Sequence, residues 1–105
     1  MVWVTGIVAL NTVDQDVEHQ TNQALEHMKT LLHKAGTNTR HLLKVNIYLS
    51  DIRTVDACHR AWEQFFAAQA MGDEERPVRI THQTVLKEQS YRVEVHAEAV
   101  LPADK

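Results

Sequence analysis

Two charged residues inside predicted strands are the first candidates for chemistry. Arg79 lies in the segment RPVRIT and Glu94 in the segment YRVEVHAEA, and both segments otherwise have the composition of β-strands. The planar guanidinium of an arginine suits bidentate binding of a small carboxylate, and a nearby glutamate could orient a water molecule or transfer a proton. The same pair could equally form an ion pair at a subunit interface. The residue pattern alone leaves both roles open.

Other chemistries find little support in the sequence. The seven histidines include no His-x-x-x-His or His-Glu-x-x-His pair, and no P-loop, GxGxxG motif or nucleophile elbow is present. The single cysteine, Cys58, falls among the apolar positions of a predicted helix, where a buried side chain is the usual role. We therefore expect no metal site. One cysteine also excludes an internal disulfide and fits a reducing cytosol, so we expect a cytoplasmic protein.

Length and charge limit the partners. The 105 residues fit one domain, residues 1–105, and the formal net charge is −3 with both signs interspersed. A phosphate backbone needs a basic stripe, so we expect no binding of nucleic acid. The longest uncharged stretch, Val2 to Val13, is too short and too polar for a membrane span. We expect a single soluble domain that gains stability from oligomerisation.

The first half of the chain predicts a strand, a helix and a strand. Residues 2–8 are β-branched and aromatic, with Gly6 indicating a bulge or a close approach of another backbone. Apolar residues recur at helical spacing from Val17 to Ala35, with Asp14 or Asp16 as the cap and Gly36 after the end. Leu42 to Ser50 alternates apolar and polar residues, which is typical of a strand with one face in the core.

The second half predicts a helix and two strands. Ser50 and Asp51 can cap a helix whose apolar stripe is Val55, Cys58, Trp62, Phe65, Phe66 and Gln69. A polar loop follows from Met71 to Arg76, in which we expect Arg76 to be solvated, and strands follow from Pro77 and over Tyr91 to Leu101. The order βαβαββ predicts a two-layer α+β or α/β sandwich with both helices on one face of a sheet.

A hairpin of the last two strands sets the expected geometry of the site. If Leu86 lies opposite Tyr91, then Arg79 lies opposite Glu98 and shares a face with Glu94, while His82 and His96 lie on opposite faces. Four residues along a strand span roughly 13 Å at about 3.4 Å per residue, which is too far for a direct ion pair. Arg79 and Glu94 would then meet through a bulge, flank a ligand, or meet across subunits. The sheet face that carries them has the mixed composition of a subunit interface.

In order along the chain, the sequence resembles the RidA/YjgF/L-PSP family of reactive intermediate deaminases. The matching segments are VWVTG, QTNQALEHMKTLLHKAG, LLKVNIYLSD, HRAWEQFF and RPVRIT followed by YRVEVHAEAV. Each is weak alone and the five in order are specific, with short, divergent members that read Pro-Val-Arg the most similar. The resemblance implies a chorismate-mutase-like α+β fold with a mixed sheet, assembled as a homotrimer with ligand clefts between subunits.

The resemblance also implies an activity and a set of site residues. Active members hydrolyse enamine and imine intermediates such as 2-aminoacrylate to 2-keto acids and ammonia without a cofactor. Arg79 corresponds to the arginine that binds the substrate carboxylate, and Glu94 to the glutamate that positions water. Gly6 corresponds to the glycine whose carbonyl faces the substrate nitrogen, and Thr5 to the residue beside it.

Three residues depart from the pattern of active members. His59 stands where asparagine is usual, Thr81 where cysteine is usual, and His96 where a second glutamate would be. The chain also starts after the point at which the family's first strand would lie, with the tyrosine that this strand often contributes. These differences keep the carboxylate-binding arginine and change its surroundings. They leave open a second interpretation, a non-catalytic trimer that binds a small carboxylate, an imino or keto acid, or a protein partner.

Overall fold

The described part of the chain folds into one layer of four strands and one layer of two helices. The computed structural model describes residues 1–9, 16–86 and 91–102. The elements are β1 (Val2–Ile7), α1 (Val17–Lys34), β2 (Leu42–Leu49), α2 (Val55–Ala67), β3 (Val78–Gln83) and β4 (Val93–Ala99), with 3-10 turns at Thr39–His41, Ile52–Thr54 and Asp73–Glu75. The predicted order βαβαββ is therefore confirmed.

The helix boundaries follow from local hydrogen bonds. The Asp16 carboxylate accepts the backbone N–H of His19 at 2.9 Å and so caps α1, as predicted. Asp14, the alternative cap, lies outside the described residues. Gly36 has φ +90°, a left-handed conformation that ends a helix at little cost in glycine. Asp51 caps the turn before α2 by accepting the backbone N–H of Arg53 at 3.0 Å.

The strands are ordered β1-β4-β2-β3 in one mixed sheet. Strand β4 is antiparallel to both β1 and β2, whereas β2 and β3 are parallel. The predicted hairpin of the last two strands is therefore wrong, because β2 lies between β3 and β4. The physical reason is the crossover through α2, which returns the chain parallel to β2 and leaves β3 at the sheet edge.

Both helices cover one face of the sheet, as predicted. Alternate residues of β2 and β4 point into this layer and are fully or almost fully buried: Val45, Ile47, Leu49, Val93, Val95, Ala97 and Ala99. They pack against the apolar stripes of the helices, which include Leu25, Met28, Leu32, Cys58, Trp62, Phe65 and Phe66. The second face of the sheet carries no described helix and is called the open face below. Within the described residues, neither helix is long and apolar enough to cross a membrane.

Candidate functional site

Arg79 lies at the edge of the sheet against α2. It pairs in register with Val45, a buried residue of β2, so its side chain is on the helix-covered face. The guanidinium carbon stands 5.1 Å from the centre of the Trp62 ring, a cation–π contact. Its Nη1 atom is 3.1 Å from Nδ1 of His59. A tryptophan and a histidine of α2 therefore hold the half-buried guanidinium in place.

His59 links Arg79 to a carboxylate. Its second ring nitrogen, Nε2, is 3.4 Å from Oε1 of Glu63, one helical turn further along α2. A guanidinium can only donate hydrogen bonds, so Nδ1 of His59 must accept from Arg79. The hydrogen-bond partners thus assign the neutral tautomer of His59, with its proton on Nε2 and directed to Glu63.

Arg76 supports Glu63 from the loop before β3. It donates to a Glu63 carboxylate oxygen and to the carbonyl of Met71 at 3.0 Å, and its guanidinium lies 5.9 Å from the centre of the Phe66 ring. Its side chain is only 12% exposed. The expectation that Arg76 is solvated is therefore wrong, because its stem packs on the core while its head finds charged and carbonyl acceptors. The hydrogen bond from Arg76 also holds the pKa of Glu63 below its ordinary value of 4.5.

Arg79 contrasts with Arg76 in its partners. Among the residues that the structure describes, no carboxylate oxygen lies within 4 Å of the Arg79 guanidinium, and its one hydrogen bond is to an imidazole. Thr81 lies two residues further along the same edge strand, on the same face and half-buried. We call Arg79, His59 and Thr81 the arginine site. A partly desolvated cation with only neutral neighbours in direct contact is suited to bind an anion.

Glu94 lies on the open face. It pairs in register with Tyr48, and its Oε2 atom is 2.6 Å from Nε2 of His96. The Tyr48 ring contacts His96 edge-on at 5.0 Å between centroids and stacks with His82 at 5.3 Å. His82 and His96 therefore share this face, and the prediction that they lie on opposite faces is wrong. A carboxylate, two imidazoles and a phenol form one polar row across three strands.

Thr5 and Gly6 lie beside this row. Between the pairs Val4–Ala97 and Ile7–Val95, these two residues of β1 stand opposite the single residue His96, which is a β-bulge. Gly6 has φ +68°, as a bulge of this kind requires, and both residues are exposed. The bulge predicted at Gly6 is confirmed. We call Thr5, Gly6, Glu94 and His96 the glutamate site.

The candidate residues thus form two groups on opposite faces of the sheet. Arg79 pairs with buried Val45 on the helix-covered face, whereas Glu94 pairs with Tyr48 on the open face, and β2 separates their strands. The prediction that Arg79 and Glu94 share a face is wrong. It assumed that β3 and β4 are neighbours, and inserting β2 between them changes the register on which the faces were matched. A meeting through a bulge within one chain is excluded.

Sequence reasoning missed the supports of the arginine site. Trp62 was expected only in the core, Glu63 was not singled out, and Arg76 was placed in solvent. The signal was present in α2, because His59, Trp62 and Glu63 have the spacing i, i+3, i+4 that puts them on one helix face. The pairing of Arg76 with Glu63 depends on how the loop returns to β3, which no local pattern encodes.

Two depressions on the described surface lie near the start of α1. One depression of about 340 Å³ at the start of α1 is lined by Asp16, Glu18, His19, Asn22 and Gln64. A second of about 410 Å³ lies between the starts of α1 and α2. Neither includes Arg79 or Glu94. Within the described ranges, no group of three or more His, Cys, Asp or Glu side chains is arranged to hold a metal ion.

The sequence matches one family profile and several bacterial and archaeal proteins. The profile is described as Endoribonuclease L-PSP and matches residues 1–101. The RutC family protein YoaB of Escherichia coli K12 is 30% identical over 94 residues, which cover 90% of this chain and 76% of YoaB. The RutC family protein PH0854 of Pyrococcus horikoshii is 26% identical over 85 residues, covering 81% of this chain and 63% of that protein.

Solved structures have the same fold. A proposed translation initiation inhibitor from Salmonella typhimurium superposes with a TM-score of 0.80 at 32% identity, covering 93% of this chain and 80% of that one. E. coli TdcF, crystallised with bound serine, superposes with a TM-score of 0.81 over 93% of this chain and 78% of its own, at 20% identity. At that identity the TdcF likeness shows the fold alone.

Proposed function

Because this chain belongs to the RidA/YjgF/L-PSP family, we propose that it hydrolyses 2-aminoacrylate-type enamine and imine intermediates to 2-keto acids and ammonia. The observation that carries the proposal is Arg79. Its guanidinium is half-buried on Trp62, its neighbour His59 is neutral, and no described carboxylate pairs with it. A small carboxylate would complete its hydrogen bonds in the bidentate geometry that arginine favours.

The proposed reaction needs little beyond positioning. The enamine tautomerises to an imine, and the oxygen of a water molecule adds to the carbon of its C=N bond. The imine nitrogen takes up both protons of this water molecule. The carbon–nitrogen bond then breaks, which releases ammonia and leaves a keto group on the carbon. Arg79 would hold the substrate carboxylate, and Glu94 would orient the water and accept its proton. Thr5, Gly6, His59 and Thr81 would line the substrate.

This chemistry requires two copies of the chain. A small substrate cannot touch Arg79 and Glu94 of one chain, because they lie on opposite faces of the sheet with β2 between their strands. We therefore propose a homotrimer in which the arginine site of one subunit faces the glutamate site of the next. The open face supports this, since Trp3, Val78 and Ile80 are 69%, 62% and 37% exposed in the single chain. Apolar area of this kind is typical of surfaces that become buried on assembly.

A non-catalytic role is the second candidate. In the single chain, the hydrogen-bonding atoms of both sites are partly engaged: Arg79 by His59, and the Glu94 carboxylate by His96. A trimer with this arrangement would bind small carboxylates at Arg79 without activating water at Glu94. We do not propose the nuclease activity named in the family description, because a net charge of −3 opposes binding to a phosphate backbone.

A coupled assay tests the proposal. A pyridoxal-phosphate dehydratase acting on serine releases 2-aminoacrylate, and we expect this protein to accelerate the appearance of pyruvate and ammonia. Arg79→Ala should lose the acceleration. Arg53→Ala is the matched control, because the Arg53 side chain is 87% exposed and its hydrogen bonds are to Asp51.

The outcomes of this assay separate the two candidates. No acceleration by the parent protein, or equal acceleration by the parent and Arg79→Ala, contradicts the deaminase. Thermal stabilisation by 2-ketobutyrate that is lost in Arg79→Ala, without any acceleration, supports the non-catalytic binder instead.

A further inference from the structure

We infer that His59 couples the binding of a keto acid at Arg79 to the uptake of one proton, and so distinguishes the nitrogen-bearing substrate from the keto-acid product. The inference rests on the proposed function, because it concerns a carboxylate bound at Arg79. His59 lies between a hydrogen-bond donor and an acceptor. Nδ1 faces the Arg79 guanidinium at 3.1 Å, and Nε2 faces the Glu63 carboxylate at 3.4 Å.

The tautomer of His59 determines whether its Nδ1 atom offers a bound ligand a hydrogen-bond acceptor or a donor. With its proton on Nε2, the imidazole presents a lone pair on Nδ1 to the space beside the guanidinium. When a bound carboxylate takes the Nη1–H of Arg79 that now donates to Nδ1, that lone pair loses its partner. The next atoms within reach belong to the ligand, because the carboxylate oxygens and the substituent on the adjacent carbon lie closest to the guanidinium.

The substrate and the product differ in what they offer to Nδ1. An imine or amine nitrogen carries N–H groups and can donate to the lone pair of the neutral imidazole. A keto acid has only acceptors, so an oxygen would face a lone pair. In a cleft that the next subunit of the proposed trimer closes to water, this costs free energy comparable to an unmade hydrogen bond. Protonation of Nδ1 removes the conflict, since the imidazolium donates from both nitrogens.

The charged groups that face His59 act on this protonation in opposite directions. On α2, Glu63 faces Nε2 and favours the imidazolium, although Arg76 partly neutralises Glu63. On β3, Arg79 faces Nδ1 and opposes it. Cys58, the neighbouring thiol, is buried, and its burial raises its pKa and keeps it uncharged. A bound carboxylate neutralises Arg79 and removes the main opposing charge, so binding and proton uptake assist each other.

Titration calorimetry tests the coupling. We would titrate the full chain with 2-ketobutyrate and with L-serine near neutral pH, where histidine changes charge, in two buffers that differ in ionisation enthalpy. The difference in apparent enthalpy gives the protons taken up per ligand bound. For 2-ketobutyrate we expect net uptake approaching one proton and an affinity that rises by up to about tenfold per pH unit as the pH falls. For serine we expect binding with little uptake.

Two matched variants assign the proton to His59. His59→Asn keeps a polar side chain of similar length that does not titrate, and we expect it to bind 2-ketobutyrate with no uptake and a flat pH profile. His59 is an exposed side chain on the surface of α2, so this change leaves the core intact. His33→Asn removes an exposed histidine in the last turn of α1 and should keep the parent's uptake.

The failures of this inference and of the proposed function are distinguishable. Binding of 2-ketobutyrate that depends on Arg79 but takes up no proton, or takes up the same amount in His59→Asn, overturns the role of His59 alone. Equal binding to the parent and Arg79→Ala, or no binding of either ligand at any pH, overturns the arginine site itself and the role of His59 with it.

Discussion

Two arginines three residues apart have opposite environments. Arg76 donates to Glu63 and to the Met71 carbonyl and packs on Phe66, so its charge is fully used within the chain. Arg79 contacts an indole face and a neutral imidazole and has no described carboxylate partner. Arg76 therefore stabilises the loop before β3, and Arg79 is the residue with hydrogen-bonding capacity left for a ligand.

The pairing of Glu63 with Arg76 predicts a pH dependence of stability. The hydrogen bond from Arg76 lowers the pKa of Glu63 in the folded chain below 4.5. A lowered pKa contributes stability that is present above the ordinary pKa and is lost as the pH falls through the folded-state value. We expect Glu63→Gln to have a lower free energy of unfolding than the parent at pH 7, and we expect this difference to shrink as the pH is lowered towards 3. Urea denaturation at several pH values measures both quantities.

Glu26→Gln provides the control for this pH dependence. Glu26 is exposed on α1, and its side chain has no ion-pair partner among the described residues. The difference between Glu26→Gln and the parent should stay small at every pH. A Glu63→Gln difference that is constant or grows in acid would contradict the assigned role of Arg76.

At the scale of elements, periodicity predicted most of the fold. The apolar stripes of α1 and α2 and the alternation in β2 and β4 appeared in the sequence because each buries one face against the other layer. The alternation of odd and even positions along a strand also identified which residues of β3 share a face. It could not identify which strand lies beside β3, because that depends on the long-range crossover through α2. The prediction that Arg79 and Glu94 share one face of the sheet failed for this reason.

The bulge in β1 is a local feature that the sequence did encode. It requires a left-handed backbone conformation at Gly6, which a substitution can test. At φ +68° an alanine would be strained, and a Cβ there would meet no atom within 4 Å, so the cost comes from the backbone and not from a clash. We expect Gly6→Ala to lower the free energy of unfolding by about 1–2 kcal/mol. Urea denaturation measures the loss.

Gly72→Ala is the matched comparison for Gly6→Ala. Gly72 has φ −76°, which any residue adopts, and a Cβ there would lie 3.9 Å from the Glu75 carboxylate, an ordinary contact. We expect this variant to be neutral or stabilised by up to about 1 kcal/mol, since alanine has less freedom in the unfolded chain. Equal stability of Gly6→Ala and the parent would show that the bulge does not require a left-handed residue.

At the scale of the whole molecule, the sheet divides the candidate residues into two incomplete halves. The arginine site has the cation but no carboxylate to act on water, and the glutamate site has the carboxylate without the cation. The open face carries exposed apolar residues beside the polar row of Tyr48, His82 and His96. A closed cyclic assembly would cover this face and bring the two halves together at each of its interfaces.

Mixing two inactive variants is the most direct test of this account. We expect Arg79→Ala and Glu94→Gln each to be inactive in the coupled assay, because each removes one half of every site. When the two are unfolded and refolded together in equal amounts, random assembly should pair an intact Arg79 with an intact Glu94 at about a quarter of the interfaces of a cyclic oligomer. We expect the mixture to recover about that fraction of the parent activity. A mixture no more active than the separate variants, beside an active parent, would contradict it.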